Sequence, residues 1–374
     1  MNASRRSVGE GRQSGVSLIE LMVALLLGAI IVGGLIQILS ANRKAYQLQE
    51  GNNFQQQNLR FASDRIDWSL RMADFWGGAT SSEITGLLND GAGASGCNAA
   101  WILSGKNGSN GAGGVFGYDG NTSFPIAGCS LVPDSDYVQG SDVLILRYAD
   151  TDPCSVPDGS HAALSTTTTA SCKPFSSHYL VANVGQQAKL FAKGSAIPVT
   201  GDTRRYIYPY RMEAYYLQPC TDRASGTCSA TSDGGNPVPS LMRIRLSGDG
   251  SLVREPLVVG IEQLQFEYGV STDGSHVSEF KIANEVTTSE WPKVLAVRVT
   301  LLARNENRDI AVSHAGTFKI SDKCSYTITN SGSVTLANTG NDCTGFSLSG
   351  LRQPNQFPRQ ILQQIVQIRN RTRG

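Results

Sequence analysis

The sequence predicts an α+β fold, with one long N-terminal helix packed on an antiparallel β-sheet head that carries long, disulfide-tied loops. Three observations predict it. An apolar run from Leu21 to Leu39 passes, without a proline, into an amphipathic stretch ending near Phe75. Beyond Gly77-Gly78 the pattern turns to short apolar runs separated by Gly, Ser, Thr and Asn. Eight cysteines stand in this polar, loop-like sequence. The chain has 374 residues, 40% hydrophobic and 17% charged, which is neither a disordered nor a coiled-coil composition. A net charge of +1, with no basic stripe, gives no electrostatic case for nucleic acid.

The first fifteen residues, MNASRRSVGEGRQSG, are polar, with Arg5, Arg6 and Arg12 against Glu10. The nineteen residues from Leu21 to Leu39 carry no charge and one amide, Gln37. A helical run of about 20 residues spans roughly 30 Å, the thickness of a bilayer core. The arginines ahead of it favour the cytoplasm and place the rest of the chain outside. Glu20 stands at the front edge of this run. A carboxylate in an apolar medium is costly unless paired. It is therefore neutralised within lipid, faces headgroups as in a plain anchor helix, or meets a cation in an assembly.

After Ser40 the helical pattern continues. Leu59, Ala62, Ile66, Leu70 and Ala73 recur at spacings of three and four, an apolar stripe suited to packing on a sheet. Phe54, Phe61, Trp68 and Phe75 recur every seven residues along a neighbouring line. The expected helix runs from about Val16 to about Phe75, on the order of 90 Å. Gly77-Gly78 is its expected stop. Gly28, Gly33, Gly34 and Gly51 weaken it by about 1 kcal/mol each relative to Ala. The Gly33-Gly34 pair serves either flexibility or close helix packing.

In the head, SDVLILRYAD (141–150), YIYPYRMEAYYLQ (206–218) and KVLAVRVTLLARN (293–305) read as strands, the last with Arg298 and Arg304 as polar positions. The stretch 240–270 reads as several strands joined by a turn at Gly248–Gly250. GKNGSNGAGG and ALSTTTTASC read as loops. The C-terminal RQILQQIVQIRNRTRG has Ile361, Ile365 and Ile368 at helical spacing and four arginines. It reads as a solvated basic end or as a docking segment. Cys97, Cys129, Cys154, Cys172, Cys220, Cys228, Cys324 and Cys343 include no CxxC pair, which disfavours zinc and points to disulfides in an oxidising compartment. Pairing by shortest loop gives 97–129, 154–172, 220–228 and 324–343, one choice among many.

No GxSxG, HExxH or P-loop occurs, and His161, His178, His276 and His314 are scattered in polar sequence. The expectation is no enzyme, no cofactor and surface histidines. Residues 271–279, STDGSHVSE, faintly resemble a calcium loop, but only Asp273 and Glu279 are charged. Calcium usually takes about six to eight oxygens, several from carboxylates. The segment is expected to be a hairpin turn and not a metal site. Asn107-Gly-Ser and Asn121-Thr-Ser match a glycosylation spacing that is common by chance.

Gly15-Val16-Ser17-Leu18-Ile19-Glu20-Leu21-Met22 resembles the class III signal of type IV pilins and their secretion-system relatives. The resemblance implies a leader over 1–15, cleavage after Gly15 and methylation of Val16 by the prepilin peptidase. It implies that Glu20 sits beside a neighbouring subunit's terminal amine. Val16 stands where that family most often has phenylalanine, and the leader is longer than many. SDVLILRY, LVVGIEQLQFEYGVSTDGS, WPKVLAVRVTLLARN and FPRQILQQIVQIRNR, in this order, resemble the PilW family of type IV minor pilins. That resemblance implies the type IV pilin fold. Residues 16–40 would be the membrane or filament-core half of the helix, 41–76 its amphipathic half, and 77–374 a periplasmic head. It also implies a minor pilin that primes pilus assembly and joins the tip complex. The implied partners are other minor pilins, the major pilin and a large tip adhesin. The protein would lie in the inner membrane first, then in the pilus at the cell surface. The rivals are a J-like minor pseudopilin of a type II secretion system and a membrane-anchored periplasmic enzyme or binding protein.

Overall fold

The computed structural model describes residues 15–80, 83–86, 97, 113–153, 176–182, 188–198, 206–223, 226–348 and 351–371. The chain divides into two compact units, Met1–Glu50 and Gly51–Gly374. Helix α1, Leu18–Met72, contributes to both. The strands belong to the second unit. In chain order they are β1 (Ile84–Gly86), β2 (Val115–Tyr118), β3 (Val143–Ala149), β4 (His178–Ala182), β5 (Ala188–Ala192), β6 (Tyr206–Gln218), β7 (Ser240–Leu246) and β8 (Leu252–Val259). Then follow β9 (Ile261–Val270), β10 (Glu279–Lys281), β11 (Val294–Arg304), β12 (Gly316–Lys319), β13 (Cys324–Ile328), β14 (Val334–Asn338) and β15 (Arg359–Gln367).

The first eight strands form one sheet, ordered β1-β5-β4-β6-β3-β2, with β7 beside β6 and β8 beside β7. A second sheet runs β10-β9-β11-β15 and a third β12-β13-β14. Among the described pairs only β1–β5 is parallel. The architecture is α+β, one long helix with mostly antiparallel sheets and disulfides.

Burial explains the apolar runs. Strand side chains alternate between faces, so a strand covered on both sides is apolar throughout. In β3, Leu144 and Leu146 join one core cluster while Val143 and Ile145 join another. β6 divides the same way, with Tyr215 and Leu217 on one side and Met212, Ala214 and Tyr216 on the other. The helical stripe Leu59, Ala62, Ile66, Leu70 and Ala73 lies in the first cluster, with Leu264 and Phe266 of β9, Val297 and Val299 of β11, and Val366 of β15. Gly51 lets the helix lie close to Asn305, whose side chain would have to move if a Cβ were present, since it would stand 2.5 Å away.

The helix ends earlier than expected, at Met72, because Asp74 takes a left-handed φ of 63°. The Asn370 side chain then caps it, donating Nδ2 to the Ala73 carbonyl at 3.0 Å. The Asp74 carboxylate accepts Trp76 Nε1 at 2.8 Å, the Gly114 amide at 3.0 Å and Arg371 Nε.

One expectation is corrected. The C-terminal segment is not a helix, because Arg359–Gln367 is a strand paired with β11. A spacing of four belongs to both periods. Ile361 and Ile365 face outward together, while Val366 and Ile368 are buried. One of the two polar positions of β11 lies in the interior. Arg304 is buried beside Glu262 at 3.2 Å, and Arg359 pairs with the same carboxylate at 2.5 Å.

Among the described residues three disulfides close loops: Cys97–Cys129, Cys220–Cys228 and Cys324–Cys343. Cys154 and Cys172 lie outside the described residues, as do residues 1–14 and His161.

Candidate assembly site

Gly15, Val16 and Ser17 precede the helix in irregular backbone, all exposed. The Ser17 carbonyl accepts the Leu21 amide at 3.1 Å, which makes Ser17 the cap residue. The Gly15–Val16 bond is therefore presented as accessible, non-helical chain, and a side chain at Gly15 would meet nothing within 4 Å.

From Leu18 onward the apolar side chains have no cover. Val16 is 70% exposed, Leu18 77% and Leu26 64%, and all the large apolar side chains up to Leu39 are likewise exposed. This is the one helix among the described residues that is long and apolar enough to cross a membrane. So wide an apolar surface needs lipid or other helices around it. Glu20 lies in the first helical turn, where its charge favours the unsatisfied amides. Covering that apolar surface would desolvate the Glu20 carboxylate, which is costly unless the group is neutralised or paired.

In the second unit the helix is held to the head by polar anchors as well as by its stripe. Gln55 Nε2 donates to the Ala303 carbonyl at 2.7 Å and Asn58 Nδ2 to the Val259 carbonyl at 3.0 Å. Glu213 of β6 accepts Ser69 Oγ at 2.7 Å, Arg65 at 3.3 Å and Arg243 at 2.8 Å. Burial beside this carboxylate pushes the Tyr215 hydroxyl well up. The neighbouring line of the helix stays open, with Phe54, Phe61 and Trp68 about half exposed. Arg65 lies over the Trp68 ring at 5.1 Å.

The segment 271–279 forms the turn of a hairpin between β9 and β10. Asp273 accepts Ser271 Oγ at 3.0 Å and the Ser275 and His276 amides at 2.9 and 3.0 Å. These bonds hold its carboxyl well below the usual range. Glu279 pairs with Lys281 at 3.0 Å. The two acids are thus engaged by a turn and by a lysine, and they belong to no three-ligand cluster among the described residues. Of the histidines, His276 is exposed, His178 is half-buried and His314 contacts Asp309 at 3.1 Å.

Comparison with known families follows this geometry. Residues 11–36 match the prokaryotic N-terminal methylation motif. Residues 226–370, from ahead of β7 through β15, match the type IV pilus-assembly protein W family. No curated protein and no solved structure matches the chain. With the methylation motif at one end and the assembly-protein region at the other, the two matches support a PilW-family minor pilin of the type IV pilus group.

Proposed function

We propose that this protein is a minor pilin that helps prime type IV pilus assembly and forms part of the tip complex, with the type IV pilin fold. It enters the inner membrane as a single-pass protein with its head in the periplasm. The prepilin peptidase cuts after Gly15 and methylates Val16. The protein then passes into the pilus with other minor pilins, the major pilin and a large tip adhesin. It performs no catalysis.

One observation carries this reading: an uncovered apolar helix bearing Glu20 begins just after an accessible Gly15–Val16 bond. Cleavage creates an α-amine at Val16 that is largely cationic at neutral pH. Within a packed bundle that amine is the natural counter-charge for Glu20 of a neighbouring copy or relative. Pairing offsets the desolvation cost of both groups, which favours the axial register that brings them together. Glu20 thereby sets the register, the apolar face through Leu39 supplies adhesion, and the head selects partners.

The test is mass spectrometry of the N-terminal peptide from sheared filaments and from membranes, with a Glu20→Ala strain beside the parent. The expected result is a methylated Val16 terminus in sheared pili, with assembly lost and processing kept in Glu20→Ala. A processed terminus confined to membranes beside a working type II secretion system would favour the pseudopilin. An intact leader in piliated cells would end the pilin reading.

A further inference from the structure

Three aspartates from distant parts of the sequence meet inside the head. Asp119 follows β2, Asp142 precedes β3, and Asp342 adjoins Cys343 of the Cys324–Cys343 disulfide. They are 4%, 1% and 1% exposed, and one carboxylate oxygen from each lies within 4.8 Å of the others. The backbone is drawn tightly around them. The Gly120 amide donates to the Asp342 carbonyl at 3.1 Å and to Asp142 Oδ1 at 2.9 Å. A Cβ on Gly120 would stand 2.3 Å from the Gly140 backbone, so only glycine fits.

Neutral donors hold these carboxylates. Asp119 accepts the Ala283 and Asn284 amides, each at 2.7 Å. Asp142 also accepts the Phe266 amide at 2.7 Å, and Asp342 Oδ2 accepts Ser321 Oγ. None of the three forms an ion pair among the described residues. Lys323, the cation that acts on Asp342, is itself paired with Glu285. Backbone donors stabilise the ionised carboxylate, yet three ionised carboxylates this close repel one another.

Two buried polar atoms at the cluster are unpaired. Asp342 Oδ1 is buried and has no hydrogen-bond partner. The Tyr268 hydroxyl, 1% exposed, also lacks one, and it feels the charges of Asp142, Asp119 and Asp342 together.

We propose that Asp119, Asp142 and Asp342 form a buried binding site for a divalent cation of the calcium class, which clamps the first sheet to the disulfide-bonded segment after β14. Oxygen-only ligands suit a hard cation; zinc would take His or Cys. Calcium–oxygen bonds of about 2.3–2.6 Å place oxygens up to roughly 5 Å apart across the ion, which matches the cluster. A divalent cation would cut the net charge of three ionised carboxylates from −3 to −1, which relieves most of their mutual repulsion.

The test uses the full chain, detergent-solubilised and stripped with chelator, with CaCl2 as the probe and thermal unfolding and Tb3+ luminescence as readouts. Calcium at about a hundredfold over its dissociation constant is expected to raise Tm by about 3–6 °C and to displace Tb3+. Asp342→Asn, which keeps the shape, is expected to weaken calcium binding at least tenfold. The same variant is expected to unfold no earlier than the parent in chelator, because one repelling charge is gone. Asp273→Asn, in the surface hairpin, is expected to bind as the parent does. No calcium effect on the parent would overturn the proposal. So would unweakened binding in Asp342→Asn, or loss of binding in Asp273→Asn.

Discussion

Asp74→Asn isolates the buried charge pair that ties the chain's C-terminal segment to the end of its helix. Asp74 and Arg371 have side chains 5% exposed each. Arg371 also donates Nη1 to the Trp291 and Val294 carbonyls at 2.6 and 3.1 Å, while its Nη2 has no partner. Asparagine tolerates the left-handed φ of 63° and keeps an oxygen for Trp76 and Gly114. What it loses is the charge, and its amide nitrogen then faces another donor. Removing one partner of a buried pair costs about 3–5 kcal/mol, because the other charge stays desolvated. With a urea m-value of about 3 kcal/mol/M or somewhat more, the midpoint falls by roughly 1 M. Tryptophan fluorescence is a suitable probe, since Trp76 and Trp291 both contact the pair. The double variant Asp74→Asn/Arg371→Met removes the stranded guanidinium and is expected to be more stable than Asp74→Asn alone. A single-variant cost below about 1 kcal/mol, or a double-variant cost equal to the sum of the singles, would refute the reasoning.

Two further predictions use the same unfolding assay. Ile66→Ala opens a cavity where the helix meets the sheet and is expected to cost about 2–5 kcal/mol, whereas Phe61→Ala on the open line should stay within about 0.5 kcal/mol; equal costs would mean the helix packs by another face. The Glu290 carboxyl is held down to about 2, chiefly by Lys281 at 2.7 Å and by the Thr287 amide and hydroxyl. Its folded pKa lies below the unfolded value of about 4.5, so its contribution is present above that pH and is lost as the pH falls toward 2. The stability difference between the parent and Glu290→Gln is expected to shrink across that window, and a flat difference profile would contradict the assignment.

The legibility of this fold followed from which faces were covered. β3, β6 and β11 are buried on both faces, so nearly every side chain is apolar and each strand stands out as a run. The helix buries one stripe, and its spacing of three and four is equally plain. β12 and β14 bury little, and their sequences GTFK and VTLAN resemble loops, so the third sheet went unread. The C-terminal strand misled because a spacing of four suits helix and strand alike. The charge on Arg304, Arg359 and Arg371 suggested solvent, whereas each is buried against a carboxylate from a distant segment. Local pattern registers a charge but not its long-range partner.

The aspartate cluster shows the same limit in sharper form. Asp119, Asp142 and Asp342 have no spacing in common and come from three different loops, so no motif joins them. The STDGSHVSE turn has motif-like spacing, and its carboxylates serve the turn and a lysine. Convergence, not spacing, separates the two. Asp342 lies within the region matching the assembly-protein family, and Asp119 and Asp142 lie outside it. A cation held there would join the matched part of the head to the unmatched part. Family membership therefore does not imply the site, and calcium binding by Asp342→Asn bears on this chain's own architecture. If calcium stiffens that junction, divalent cation in the medium becomes a variable in every pilus-assembly assay of this protein.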